Sequence, residues 1–293
     1  MHQRRTPYSR AVTIRPTPLD LLLNRAGGYD AVICDIDGCL GDEHGSPMDL
    51  APLAEIAAWN RAAESENDRP LVVPCSGRPI SYVEAIGRHI ACTTLPLIGE
   101  MGAWLFFPDV NRHELDPKIT SEHLEAVRDL QAFGRDVLAA ITGEHLDAVR
   151  DLQAFGRDVL AGDGVTMQPG KAASVTFWHA DTAHLRESVF PRVCRLIEDR
   201  RWPFRVSMTW LYINCDLAFV SKASAIDRFC AHTGIDPARL AGIGDTMSDK
   251  AIRDRVAWFG CPANASDDIK AHADAVATRT EARGVLELLT SLR

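Results

Sequence analysis

Apolar residues along this chain fall into short continuous runs and helical stripes that alternate. Residues 29–35 form a brief run, Tyr-Asp-Ala-Val-Ile-Cys-Asp, that ends in acids and glycine. A short run without polar interruption suits a strand buried on both faces, as in a parallel sheet. Helical spacing follows over 52–63, with Pro52 suited to a first helical turn. A second buried run occupies 70–76, a helix is predicted over 79–90, and further strands over 95–98 and 103–107. Strand and helix alternate across short loops, which predicts an α/β unit around a parallel sheet.

The pattern changes after Asp109. A long helical stretch covers 121–160, followed by a strand over 173–179, a helix over 182–201 and a hairpin from 205–208 and 211–215. From Lys222 the first pattern returns: a helix over 223–232 closed by Gly234, a strand over 240–244, a helix from 248, a strand over 256–260, a helix over 267–272, a strand over 273–277 and a closing helix to 292. The reading is a parallel core written in two pieces, 25–110 and 215–293, around an α+β insert at 111–214. Residues 1–24 read as an N-terminal extension, with a short helix over 18–25.

The insert holds a tandem repeat. Residues 119–140 and 141–162 are neighbouring 22-residue segments identical at 19 positions. Twenty-two residues at ~100° each drift by only about 40°, so one continuous helix keeps its apolar side through both copies. Leu124, Val127, Leu130, Val137, Leu138 and Ile141 share that side. Two copies are too few for a solenoid and fit a recent duplication; a helical hairpin broken at Thr142-Gly143 and an artefact of sequence assembly are the alternatives.

Composition narrows the partners. The 293 residues contain no run near the ~18 apolar residues of a membrane span. Met1 to Arg10 is basic without a following apolar stretch, so no secretory signal is expected. A net charge of −8 argues against nucleic-acid binding by phosphate neutralisation. The 8 cysteines form no C-x-x-C pair and sit in apolar runs, which suits small buried residues of a reduced cytoplasmic protein. Oligomeric state is left open.

Four segments carry chemistry. Asp35-Ile36-Asp37-Gly38 closes the first strand; carboxylates at i and i+2 of extended chain share one side. At a strand's carboxyl end they face the crevice where open α/β sheets bind ligands. Such a pair can hold Mg²⁺, attack phosphorus and move protons. Ser76-Gly77-Arg78 follows the second strand, where a hydroxyl and turn amides can hold phosphate oxygens. Lys222 opens a helix in a chain with only 5 lysines against 27 arginines. Gly244-Asp245-Thr246-Met247-Ser248-Asp249 closes a third strand with further acids.

In order and spacing these segments resemble the haloacid dehalogenase superfamily of phosphohydrolases, in its sugar-phosphatase branch. The resemblance covers roughly residues 29–110 and 215–293, including the tail from Cys261-Pro-Ala-Asn264-Ala265 to Ala273-Asp274-Ala275. It implies a Rossmann-like core with the insert as a cap, and a Mg²⁺-dependent phosphatase acting on a small phosphorylated metabolite such as a sugar phosphate. It further implies Asp35 as nucleophile and metal ligand, and Asp37 as general acid/base that binds metal through its carbonyl. Ser76 and the Gly77 amide would hold the phosphoryl group, Lys222 would neutralise it, Asp245 would bind metal, and Asp249 would ligate or orient. Cys39 stands where Thr or Val is common, Ser248 where Asn is frequent, and Met101 where the branch often has Asn; none removes a charged group.

Residues of the insert would then set the substrate. Gln168-Pro-Gly-Lys171-Ala-Ala-Ser174 resembles the lysine-bearing cap segment of that branch, making Lys171 and Ser174 substrate candidates; the alternative for Lys171 is a solvated loop. Arg78 either faces substrate or makes a structural ion pair. Trp178, Trp202 and Trp210 read as cap core, and His179 and His184 as surface groups. A phosphomutase of the same fold and a non-catalytic binding module are the competing functions.

Overall fold

The computed structural model describes residues 23–26, 28–42, 47–139, 165–209 and 211–292. The helix expected over 18–25 lies mostly outside these residues, and the second repeat copy and Trp210 lie wholly outside them.

Strands β1 (Ala31–Cys34), β2 (Leu71–Pro74), β10 (Leu240–Ile243), β11 (Trp258–Cys261) and β12 (Ala275–Val276) form one parallel sheet in the order β12-β11-β10-β1-β2. Every residue of β1, β2 and β10 is buried, as their unbroken apolar sequence requires in a sheet covered on both faces. Helices Leu50–Glu66, Ile80–His89, Lys222–Thr233 and Glu281–Thr290 supply the cover. The central strand β1 pairs with β2, about forty residues later, and with β10, which arrives from the far end of the chain. Strands from both pieces of the chain thus share one sheet, while the cap strand β9 (Tyr212–Leu217) runs across the boundary expected at 214/215.

Residues 97–115 depart from the sequence expectation. Leu97–Gly99 (β3), Trp104–Phe107 (β4) and Arg112–Leu115 (β5) form an antiparallel meander instead of extending the parallel sheet. One parallel bridge, Cys75 to Ile98, joins the meander to the core. The reason is length: four residues separate β3 from β4, and a parallel crossover needs a dozen or more. The connecting turn runs left-handed through Glu100 (φ 47°), Met101 (φ 55°) and Gly102 (φ 105°). Gly102 is required there: a Cβ would lie 2.5 Å from the Ser221 carbonyl oxygen.

Thr166–Met167 (β6), Ser174–Trp178 (β7), Phe204–Met208 (β8) and Tyr212–Leu217 (β9) build the cap sheet, ordered β6-β7-β9-β8 and antiparallel. One face carries Val175, Phe177, Ile213, Cys215 and Leu217, all buried against helices Ser121–Ala139 and Phe190–Arg200. Val127 and Leu130 of the first repeat copy lie in this cluster. The single helix expected over 182–201 is instead a short turn at Thr182–His184, a π turn at Leu185–Val189 and a helix from Phe190. Pro191 at the head of that helix lacks the N–H that would continue a regular ladder. All eight cysteines are free thiols. No helix among the described residues is long and apolar enough to cross a membrane.

Candidate active site

The carboxyl ends of β1, β2 and β10 lie side by side, so the segments that close them meet above one edge of the sheet. Asp35 leaves β1 with its amide held by the Ile243 carbonyl at 3.0 Å, and its Oδ1 accepts from the Ile36 amide at 2.8 Å. Gly38 turns the next residues back at φ 75°, and a Cβ there would collide with the Asp245 carboxylate. Asn264 of the tail donates to the Gly38 carbonyl at 2.8 Å, so the C-terminal segment braces the first motif.

Lys222 enters from the helix capped by Ser221, whose Oγ accepts the Ser224 amide at 3.1 Å. The lysine is buried, and its Nζ lies 2.9 Å from Asp35 Oδ1 and 2.6 Å from Asp249 Oδ1. Asp249 Oδ2 accepts the amides of Asp245 (3.0 Å) and Thr246 (3.2 Å). Asp249 thus holds both the lysine and the loop. Among the described residues, oxygen atoms of Asp35, Asp245 and Asp249 lie within 4.8 Å of one another.

The charges there do not balance internally. Burial pushes the Asp35 carboxyl above its ordinary range, Asp249 pushes the same way, and Lys222 opposes both. Burial alone would lower the Lys222 ammonium; Asp249 and Asp35 hold it well above its usual value instead. Three buried carboxylates facing one ammonium leave room for a further positive charge, and an all-oxygen donor set fits a hard divalent cation. The neighbouring Cys75 and Cys39 thiols are pushed up by burial and are poor nucleophiles.

Asp37 lies outside the carboxylate cluster. Arg78 grips it in a fork, Nε at 2.9 Å from Oδ2 and a terminal nitrogen at 2.6 Å from Oδ1. Arg78 makes the ion pair and also lines the cleft, with its guanidinium 5.5 Å from the Tyr82 ring centroid. The Asp37 hydrogen bonds raise the Arg78 guanidinium above its ordinary range. Ser76 is buried beside Gly77, and its Oγ accepts the Arg78 amide at 3.1 Å. Gly77 abuts Met101: a Cβ at Gly77 would lie 3.1 Å from the Met101 sulfur.

The cap closes the cleft from above. Lys171 is buried and lines it, so the solvated-loop alternative does not hold. Its Nζ donates to Thr176 Oγ1 at 2.6 Å, which donates in turn to Asn214 Oδ1 at 2.9 Å. Ser174 is buried in β7 and is not among the residues that line the cleft. Trp202 packs on the cap core, whereas the His179 and His184 rings lie 4.8 Å apart, tilted, on a surface turn.

Two buried acids at the site escape sequence reasoning. Glu100 is buried in the left-handed turn of the core, and its carboxylate accepts the amides of Ala172 (3.0 Å) and Ala173 (2.8 Å). It pins the loop that carries Lys171; the only cue was an acid between Gly99 and Gly102 where the chain must reverse. Asp216 on β9 lines the cleft, and burial pushes its carboxyl up against the opposing pull of Lys171. Its cue was the alternation of polar and apolar residues in Tyr-Ile-Asn-Cys-Asp-Leu.

Known proteins share this fold. A family model described as haloacid dehalogenase-like hydrolase matches residues 32–289. Among solved structures, a Thermotoga maritima protein is 17% identical at a TM-score of 0.60, covering 90% of this chain and 97% of its own. A haloacid dehalogenase-like hydrolase from Bacteroides thetaiotaomicron is 14% identical at 0.59, covering 90% and 100%. The sucrose-phosphatase of Synechocystis, solved with sucrose and phosphate, is 13% identical at 0.56, covering 89% and 97%. No curated protein matches the sequence.

Proposed function

The chain belongs to the haloacid dehalogenase-like hydrolase family, and from that premise we propose that it is a Mg²⁺-dependent phosphatase of a small sugar-like phosphate monoester. The observation that supports this reading most is the buried bridge from Lys222 to Asp35 and Asp249, with Asp245 in reach. That arrangement holds one carboxylate ready beside a fixed cation.

Asp35 is the nucleophile. Lys222 and the Ile36 amide both hold its Oδ1, which leaves Oδ2 to attack phosphorus. The phosphorus–leaving-group bond breaks as Asp37 protonates the departing oxygen. Asp37 then takes a proton from the water that cleaves the aspartyl-phosphate, releasing phosphate and restoring both acids. Arg78 keeps Asp37 aimed across the cleft between these transfers. Ser76 and the Gly77 amide hold the phosphoryl oxygens. Asp35, Asp245 and the Asp37 carbonyl would hold Mg²⁺, which when bound supplies positive charge against the phosphoryl oxygens. Lys171 contacts the leaving group. Ser174, the other sequence candidate, supports the sheet beneath it.

Phosphate release from p-nitrophenyl phosphate and from sugar phosphates, with Mg²⁺ present, tests the proposal. The Asp35→Asn variant should lose at least about a thousandfold in kcat, about 4 kcal/mol of barrier. Wild-type turnover no faster than this variant would overturn the reading. An isomerised sugar phosphate without free phosphate would indicate a mutase.

A further inference from the structure

The turn at Gly99–Gly102 sits where three parts of the molecule meet. Its amides face the phosphoryl-binding loop: Glu100 donates to the Arg78 carbonyl at 2.9 Å and Met101 to the Ser76 carbonyl at 3.1 Å. The Gly102 carbonyl accepts from Arg228 at 3.1 Å, on the helix that begins with Lys222. The Glu100 side chain reaches a third way, into the cap. It accepts the Ala172 amide on both carboxylate oxygens, at 3.1 and 3.0 Å, and the Ala173 amide on one, at 2.8 Å. The chain itself passes from core to cap between Leu115 and Ser121 and returns between Leu217 and Lys222. The Glu100 bonds join the two parts away from both crossings.

Two features mark this turn. Glu100 (φ 47°) and Met101 (φ 55°) are consecutive non-glycine residues in the left-handed region. Such backbone persists only where its surroundings hold it, and it clusters at clamps and switch regions. Here it lets one residue give its amide to the core loop and its carboxylate to the cap. Glu100 is also 1% exposed. A buried carboxylate needs donors, and the cap supplies them. With the cap swung away, water takes the place of the two amides, so the contact is reversible. The loop it grips is held from the other side as well. Gln131 donates to the Lys171 carbonyl at 3.0 Å, and Lys171 Nζ donates to Thr176 at 2.6 Å. Lys171 is thus fixed between a cap helix and a core turn that also shapes Ser76–Arg78.

We propose that Glu100 is a positioning residue that registers Lys171 on the phosphoryl-binding loop. An oxyanion held by Ser76 and Gly77 steadies the turn, the turn steadies the Glu100 contact, and that contact aims Lys171. Glu100 acts through Lys171 and touches no substrate itself. Two states of one element, the cap loop docked on Glu100 or released from it, carry the coupling. The kinetic consequence rests on the phosphatase reading above; the exchange consequence needs only phosphate bound at Ser76 and Gly77.

The first test is amide hydrogen exchange over residues 168–174, with Mg²⁺ and with or without inorganic phosphate. In wild type, phosphate should slow exchange there. Glu100→Ala should lose that protection, and because coupling is reciprocal its phosphate affinity by calorimetry should fall about fivefold or more. Glu100→Gln, which keeps one acceptor oxygen for the two amides, should recover part of both and so separates lost coupling from lost fold. The second test is turnover of a phosphate monoester. Glu100→Ala should lower kcat/KM about a hundredfold, the scale of a misplaced contact. The double variant with Lys171→Met should be no slower than Lys171→Met alone, since Glu100 acts through that side chain. No phosphate-dependent protection in wild type, unchanged phosphate affinity in Glu100→Ala, or additive losses in the double variant would overturn the proposal. Wild type without turnover on any ester would strike the phosphatase reading instead, and the exchange result would still decide the role of Glu100.

Discussion

The two main sheets of this molecule put function in different places. The core sheet is parallel and apolar on both faces, so its strands offer chemistry only where they end. The cap sheet is antiparallel and apolar on one face, so its strands offer polar groups along their length. A strand end is one position held by loops, caps and ion pairs. A strand face is a row of positions on a fixed register. The first arrangement suits a reacting constellation that must be held rigid; the second suits recognition, where single side chains change without disturbing the fold.

The largest effect should come from the core's charge bridge. Lys222→Met leaves two buried carboxylates without their cation and should cost about 4 kcal/mol, read by urea unfolding, together with loss of turnover. A near-neutral result would mean that the strand-end site is not held by this bridge. Next, Phe177→Ala on the apolar cap face should cost about 3 kcal/mol or more through the cavity it leaves.

Cation linkage is the third probe. Asp35 is held above its ordinary range, so the native state binds that proton more tightly than the unfolded chain. Without a cation, its contribution to stability is therefore present in acid and is lost as pH rises above the ordinary carboxylate pKa of about 4. A cation bound at Asp35 would replace the proton. Mg²⁺ should raise the melting temperature more at pH 8 than at pH 5, and at a hundred times its pH 8 dissociation constant should stabilise the fold by about 2.7 kcal/mol. An equal shift at both pH values would break the linkage. The smallest effect should be Ser207→Ala, on the exposed polar side of β8, within about 0.5 kcal/mol in unfolding. The contrast with Phe177→Ala measures how unequal the two cap faces are.

The sequence carried most of the core because an apolar run ending in acids signals both a buried strand and a site. Asp35, Ser76, Lys222 and Asp245 meet as their motifs imply, since β1 lies between β2 and β10. The meander at 97–115 differs from the expected parallel extension because β3 and β4 look like core strands; only the four-residue connection betrays their antiparallel pairing. β5, Arg-His-Glu-Leu, has too little apolar character to register as a strand at all. Arg78 had two readings because its partner Asp37 is 41 residues away. Glu100 was invisible because an isolated acid in a turn has no period. The polar stripe of β9 was legible as alternation, but which side meets the cleft depends on how the cap docks.

The position of β1 between strands from opposite parts of the chain also has a price in time. Asp249 leaves the ribosome about 210 residues after Asp35, a delay of about 10 to 40 s at ordinary synthesis rates. Throughout that interval β1 can pair with β2 on one side, but its other edge stays open until β10 is made. An open apolar edge is a template for other chains. The cap residues emerge within this window and can begin folding on their own apolar cluster while the core waits. A nascent chain halted before residue 240 therefore carries Asp35 on an unfinished sheet, without Asp245 and Asp249 and exposed to aggregation.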